Sequence, residues 1–183
     1  MFGKKNEEAT LYYLYMMADG EVSYSEEKIF ETICKELELN QDERNSVIEK
    51  CKELVGDSAS VFDVIVKQQI DEQAGREWYG LRDASVLARI VWNLVNLGFA
   101  DSFFSDEEKK IVNYLKEKWS VNLEVYQEFV DTANTILALK EQKKWIASTF
   151  SKSSARDKRE KDVDVEIVQL LNDVKLTIKE LTM

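Results

Sequence analysis

The chain has 183 residues, 44% apolar and 33% charged, with a formal net charge of −10. That length supports one good core with a small appendage, and four Trp, seven Tyr and eight Phe exclude a disordered acidic chain. There is no histidine, which excludes Ser-His-Asp and Cys-His catalysis and any His-containing zinc site; two cysteines cannot make a Cys₄ site, and no apolar run approaches the ~18 residues of a membrane span.

Helical periodicity runs through the chain, and the spacing predicts helices over 7–18, 24–38, 41–56, 58–75, 82–98, 106–119, 123–147 and 162–182. The start, Met1-Phe2-Gly3-Lys4-Lys5-Asn6-Glu7-Glu8, has no signal-peptide core, and Cys34 and Cys51 read as small core residues, so a reduced cytoplasmic setting is expected. The stripes Ile29, Phe30, Ile33, Leu37 and Leu87, Ile90, Val91, Leu94, Leu97 are helix faces turned to a core. Trp92, Trp119 and Trp145 fall on apolar faces and are expected inside. Glu7, Glu8, Glu21, Glu26, Glu27 and Asp42 read first as solvated helix faces. No segment alternates with the two-residue period of a strand.

A repeat at an offset of 82 residues organises the chain. Ala18-Asp19-Gly20-Glu21-Val22-Ser23-Tyr24-Ser25-Glu26-Glu27-Lys28-Ile29 aligns with Ala100-Asp101-Ser102-Phe103-Phe104-Ser105-Asp106-Glu107-Glu108-Lys109-Lys110-Ile111 at six of twelve positions. The expected fold is all-α: a compact bundle of about seven helices from two similar three-helix units (residues 11–55 and 93–137) related by a pseudo-two-fold axis, plus a C-terminal helix. Residues 1–150 form the domain, 151–162 a polar linker and 163–183 the amphipathic tail. Ile167, Leu171, Val174, Ile178 and Leu181 make a short heptad seam in that tail, which docks on the protein's own core, on a second copy, or in a partner's groove.

Each repeat carries Asp-x-x-x-Ser-x-x-Glu. Ser23 with Glu26 and Ser105 with Glu108 are capping boxes, and Asp19-Gly20 is a turn pair in which glycine supplies positive φ. Capping explains the serines and glutamates, but Asp101 persists although Ser102 replaces the glycine. Asp19, Glu21 and Glu26 from one unit and Asp101 and Glu108 from the other are therefore candidate hard-oxygen ligands for Ca²⁺ or Mg²⁺. A complete EF-hand is excluded, because its first and third ligands would be Tyr15 and Met17. Trp78 and Tyr79, between charges and next to Gly80, read either as interhelical packing or as a partner-binding cluster.

Two such motifs at this separation in an all-helical chain resemble the TerB tellurite-resistance family, over about residues 7–147. The resemblance implies a helical bundle with paired acidic motifs, a cytoplasmic role in metal sensing and stress-response assemblies, and Asp19, Glu26, Asp101 and Glu108 as the acidic functional positions. Ser102 and Phe103 depart from the pattern, where a second glycine and a counterpart to Glu21 are missing. Residues 151–183 carry seven basic and seven acidic side chains, so the negative excess lies in 1–150; that surface repels nucleic acid and favours cations or basic protein partners. The expectation is a non-enzymatic module that binds or senses a divalent cation and engages a protein partner. Its rival is a metal-free adaptor acting through the tail helix and the Trp78 loop, and a carboxylate hydrolase is the third reading.

Overall fold

The computed structural model describes residues 4–56, 60–71, 84–100 and 104–181. Two helices buried on almost every side form the centre, and the apolar turns of each must be covered to exist in water. In α1 (Lys4–Met16) the run Leu11–Met16 is buried without a break, and in α5 (Ala84–Gly98) Leu87 to Gly98 is buried except at Arg89 and Asn96. A polar relay joins them. Glu8, 6% exposed, accepts from Arg89 Nη2 (2.7 Å) and from the Tyr12 hydroxyl (2.6 Å), which accepts in turn from Asn93 Nδ2 (3.1 Å). Glu8 and Glu26 are thus not the solvated carboxylates expected from composition; both are buried, with Glu26 at 2% exposure.

Helices α2 (Tyr24–Glu36) and α3 (Gln41–Val55) pack on α1, while α6 (Asp106–Lys118) and α7 (Leu123–Thr149) pack on α5. The 82-residue offset persists in the backbone from the N-cap of α2 to the N-cap of α3. Ser23 and Ser105 cap α2 and α6; Glu38 (φ 57°) and Ser120 (φ 52°) turn left-handed after them; Asn40 and Asn122 cap α3 and α7. Leu39 N–H donates to Cys34 O (2.9 Å) and Val121 N–H to Lys116 O (3.0 Å), the six-to-one bond of a Schellman stop in both units. Among the described residues there is no strand, and no helix is long and apolar enough to cross a membrane.

Three expectations need correction. Within the described residues, the bridge expected over 58–75 is a single turn, α4 (Val61–Val64), continuing as a π-helical segment, Ile65–Asp71. Its wider turn lets Ile65, Val66, Gln69 and Ile70 all reach the interior. Most of the expected linker is helical: α8 runs from Ser154 to Glu180, capped by Ser153. Its polar first turns are an exposed helix with an i,i+4 ion pair (Arg156–Glu160, 2.6 Å), tied back by Arg156 Nη1 to Phe150 O (3.3 Å). Trp145 is 56% exposed, because α7 runs past the main core and ends over a small cluster of Leu139, Ile146 and Val163; its indole packs edge-on to Phe150 (5.5 Å). Trp92 is buried and Trp119 partly so.

Helix α8 folds back onto α7 and α5. Val174 is 1% exposed, and Ile167, Leu171, Ile178 and Leu181 pack against the same core, so the heptad seam is a docking face onto the chain itself. Cys34 and Cys51 are buried free thiols, which burial pushes up to about 11 and about 12, out of the reactive range.

Candidate functional site

The acidic turns are built by the ends of helices. After α1 stops at Met16, Gly20 N–H donates to Met17 O (3.2 Å) and the chain reverses through Gly20 at φ +98°, a conformation glycine adopts without strain. Asp19 is exposed and its Oδ1 accepts from Glu21 N–H (3.3 Å), which pins the turn. The chain then enters α2 through a complete capping box. Glu26 N–H donates to Ser23 Oγ (3.2 Å) and Ser23 N–H to Glu26 Oε2 (2.7 Å). The second box repeats it, with Glu108 N–H to Ser105 Oγ (3.1 Å) and Ser105 N–H to Glu108 Oε2 (2.8 Å).

A capping-box glutamate normally sits at the surface; these two are inside. Glu26 is 2% and Glu108 3% exposed. Burial is the largest influence on Glu108 and raises its carboxyl to about 7, although the hydrogen bonds from Ser105 pull the other way; the charges of Glu26 and Asp19 raise it further. Both repeats therefore deliver acidic groups to one region, where the charges of Glu26 and Asp19 act on Glu108.

Between them lies Tyr15, fully buried on the last turn of α1. Burial raises its phenol well above the usual range, followed by the charges of Glu108 and then Glu26. Its hydroxyl lies beside Glu108 but makes no hydrogen bond of ordinary geometry. Gly98 makes room for it: a Cβ there would stand 2.6 Å from the Tyr15 hydroxyl oxygen and 2.7 Å from the Phe104 ring. Tyr15 and Gly98 were not legible as site residues. The only signal was a phenol on an otherwise apolar face, eleven residues before Glu26.

Of the other expected ligands, Glu21 is exposed, and Asp101 lies outside the described residues. Among the described residues, no three acidic or cysteine side chains converge tightly enough to hold a metal ion as they stand. Glu108 commits Oε2 to the cap, and a carboxylate has a second oxygen to offer. The carboxylates of Glu26 and Glu108 and the neutral phenol oxygen of Tyr15 are hard-oxygen groups, the donor type that Ca²⁺ and Mg²⁺ take. Trp78 and Tyr79 lie outside the described residues.

The fold and site define a class: an all-α module in which two acidic capping boxes, one from each sequence repeat, meet beside a buried tyrosine. Residues 6–128, from α1 into the start of α7, match the family described as tellurite resistance protein TerB. The match covers well over half of the chain, and the chain belongs to the TerB family. No curated protein matches it, and no solved structure does.

Proposed function

We propose that this TerB module is a non-enzymatic, cytoplasmic binding protein whose paired acidic turns take up a divalent cation, Ca²⁺ or Mg²⁺, in a tellurite-resistance or related stress system. The observation that carries this reading is that Glu26 and Glu108 are both buried in their caps and that the charges of Glu26 and Asp19 both act on the Glu108 carboxyl, which burial raises to about 7. Burying like charges together is unfavourable unless something positive shares the space. Glu26, Glu108 and Asp19 would hold the ion, with Glu21 at the rim of the first turn and the Tyr15 hydroxyl as a neutral oxygen; Asp101, the remaining ligand expected from the sequence, lies outside the described residues. The ion would supply positive charge alone, bracing two helix N-termini and the turns before them.

The test is calorimetric titration of metal-stripped protein with Ca²⁺ and separately Mg²⁺. Wild type is expected to bind saturably. Glu26→Gln with Glu108→Gln should lose binding while keeping both caps, since glutamine serves in a capping box. An unchanged isotherm in that variant, or no uptake by wild type at millimolar ion, would overturn the reading.

A metal-free adaptor role has its own support. The outer face of α8 carries Val165, Val168 and Leu176 at 49%, 55% and 56% exposure, an apolar stripe suited to a protein partner or a second copy. Val168→Asp with Leu176→Asp, read by sedimentation and by partner capture, tests it; association untouched by both substitutions would rule this stripe out.

A further inference from the structure

A second concave site lies away from the acidic turns, between α2, α5, α7 and α8, with a volume of about 550 Å³. That is within the range of small-ligand pockets. Its walls are apolar: Ile29 and Ile33 from α2, Trp92 from α5, Ile136 from α7, and Ile167 and Leu171 from α8. Its polar residues have the sign opposite to the molecule as a whole. In a chain of net charge −10, Lys28, Arg89, Lys140 and Lys175 line this one cleft against a single carboxylate, Glu36.

These cations are unequally matched. Lys175 bonds Glu36 (3.1 Å), and Arg89 Nη2 bonds Glu8 (2.7 Å), but Arg89 Nε is buried with no acceptor. Lys28 pairs with Glu31 at 3.4 Å across exposed surface and lies over the Tyr24 ring (5.4 Å). Lys140 has no ion-pair partner among the described residues; partial burial and then the charge of Lys144 hold its ammonium below the usual range. Ile136, Lys140 and the whole of α8 lie beyond residue 128, where the family match ends.

We propose that this cleft binds a free fatty-acid-type ligand, a single alkyl chain ending in a carboxylate, with the chain along Ile29, Ile33, Trp92 and Leu171 and the headgroup at Lys28, Lys140 and Arg89. Charge complementarity selects the anion, and the apolar walls select a chain over a compact polar anion. Because α8 is one wall, an occupied cleft ties the tail helix to the body of the protein.

The test is calorimetric titration of the full chain with octanoate, decanoate and dodecanoate below their micellar concentrations, with decyltrimethylammonium as the cationic control. Affinity should rise about fourfold per added methylene, the increment of burying one CH₂. Decyltrimethylammonium should bind at least tenfold more weakly than decanoate. Lys28→Glu with Lys140→Glu, two surface changes that spare the core, should weaken decanoate about tenfold. Leu171→Trp should fill the cleft and abolish binding, with an unchanged helical circular dichroism spectrum showing that the fold survives. No saturable binding of dodecanoate, equal binding of the two decyl amphiphiles, or a charge-reversed variant that binds decanoate as wild type does would each overturn the proposal.

Discussion

At the scale of single residues, environment decides what the repeated glutamates do. Glu108 makes the same two cap bonds as an exposed capping-box glutamate, yet its carboxyl stands at about 7 because it is buried beside Glu26 and Asp19. The folded protein therefore holds a proton that the unfolded chain releases near 4.5. The stability this proton confers is full below about pH 4.5 and is lost as pH rises through 7. Glu108→Gln keeps the cap and removes the titration. It should flatten the fall in thermal midpoint between pH 5 and 8 and raise the ion-free midpoint at pH 8 by about 5 °C, a linkage on the order of 2–3 kcal/mol for a chain of this size. Tyr15→Phe removes a buried hydroxyl that has no hydrogen bond, so stability should hold or rise slightly while cation affinity falls. Gly98→Ala sets a methyl 2.6 Å from that hydroxyl and 2.7 Å from Phe104, and should cost about 1–3 kcal/mol, read as a lowered midpoint.

At the scale of elements, the sequence was most legible where local chemistry and periodicity agree. Ser23, Asn40, Ser105 and Asn122 all cap, and the stripes of α2 and α5 face inward as their spacing requires. It was least legible where tertiary packing overrode composition. Residues 154–162 look like a linker because they are polar, but Ser153, Arg156 and Glu160 make them a capped, ion-paired helix. The burial of Glu8 and Glu26 depends on which helix lies opposite, which no local pattern encodes. The paired stops after α2 and α6 offer a direct check. Ser120 sits at φ 52° without being glycine, and its side chain is exposed, so Ser120→Gly should relieve left-handed strain and stabilise by about 0.5–1 kcal/mol, seen as a shift of about 2 °C or more in the denaturation midpoint.

At the scale of the whole molecule, the fold brings together charges that lie far apart in the sequence. Glu26 and Glu108, one from each repeat, are buried within electrostatic reach of each other and of Asp19, while the α2–α5–α7–α8 cleft concentrates cations around an apolar hollow. A chain that holds buried carboxylates together without an ion sacrifices stability at neutral pH, and an ion bound there would restore it. The most direct measurement is the thermal midpoint of metal-stripped protein against Ca²⁺ concentration at pH 6 and pH 8, for wild type and for Glu26→Gln with Glu108→Gln. The account predicts a saturable rise in wild type, reached at lower Ca²⁺ at pH 8 because Glu108 has already released its proton, and no rise in the variant. A wild-type midpoint indifferent to millimolar Ca²⁺ and Mg²⁺ at pH 8, or a variant stabilised as strongly as wild type, would contradict it.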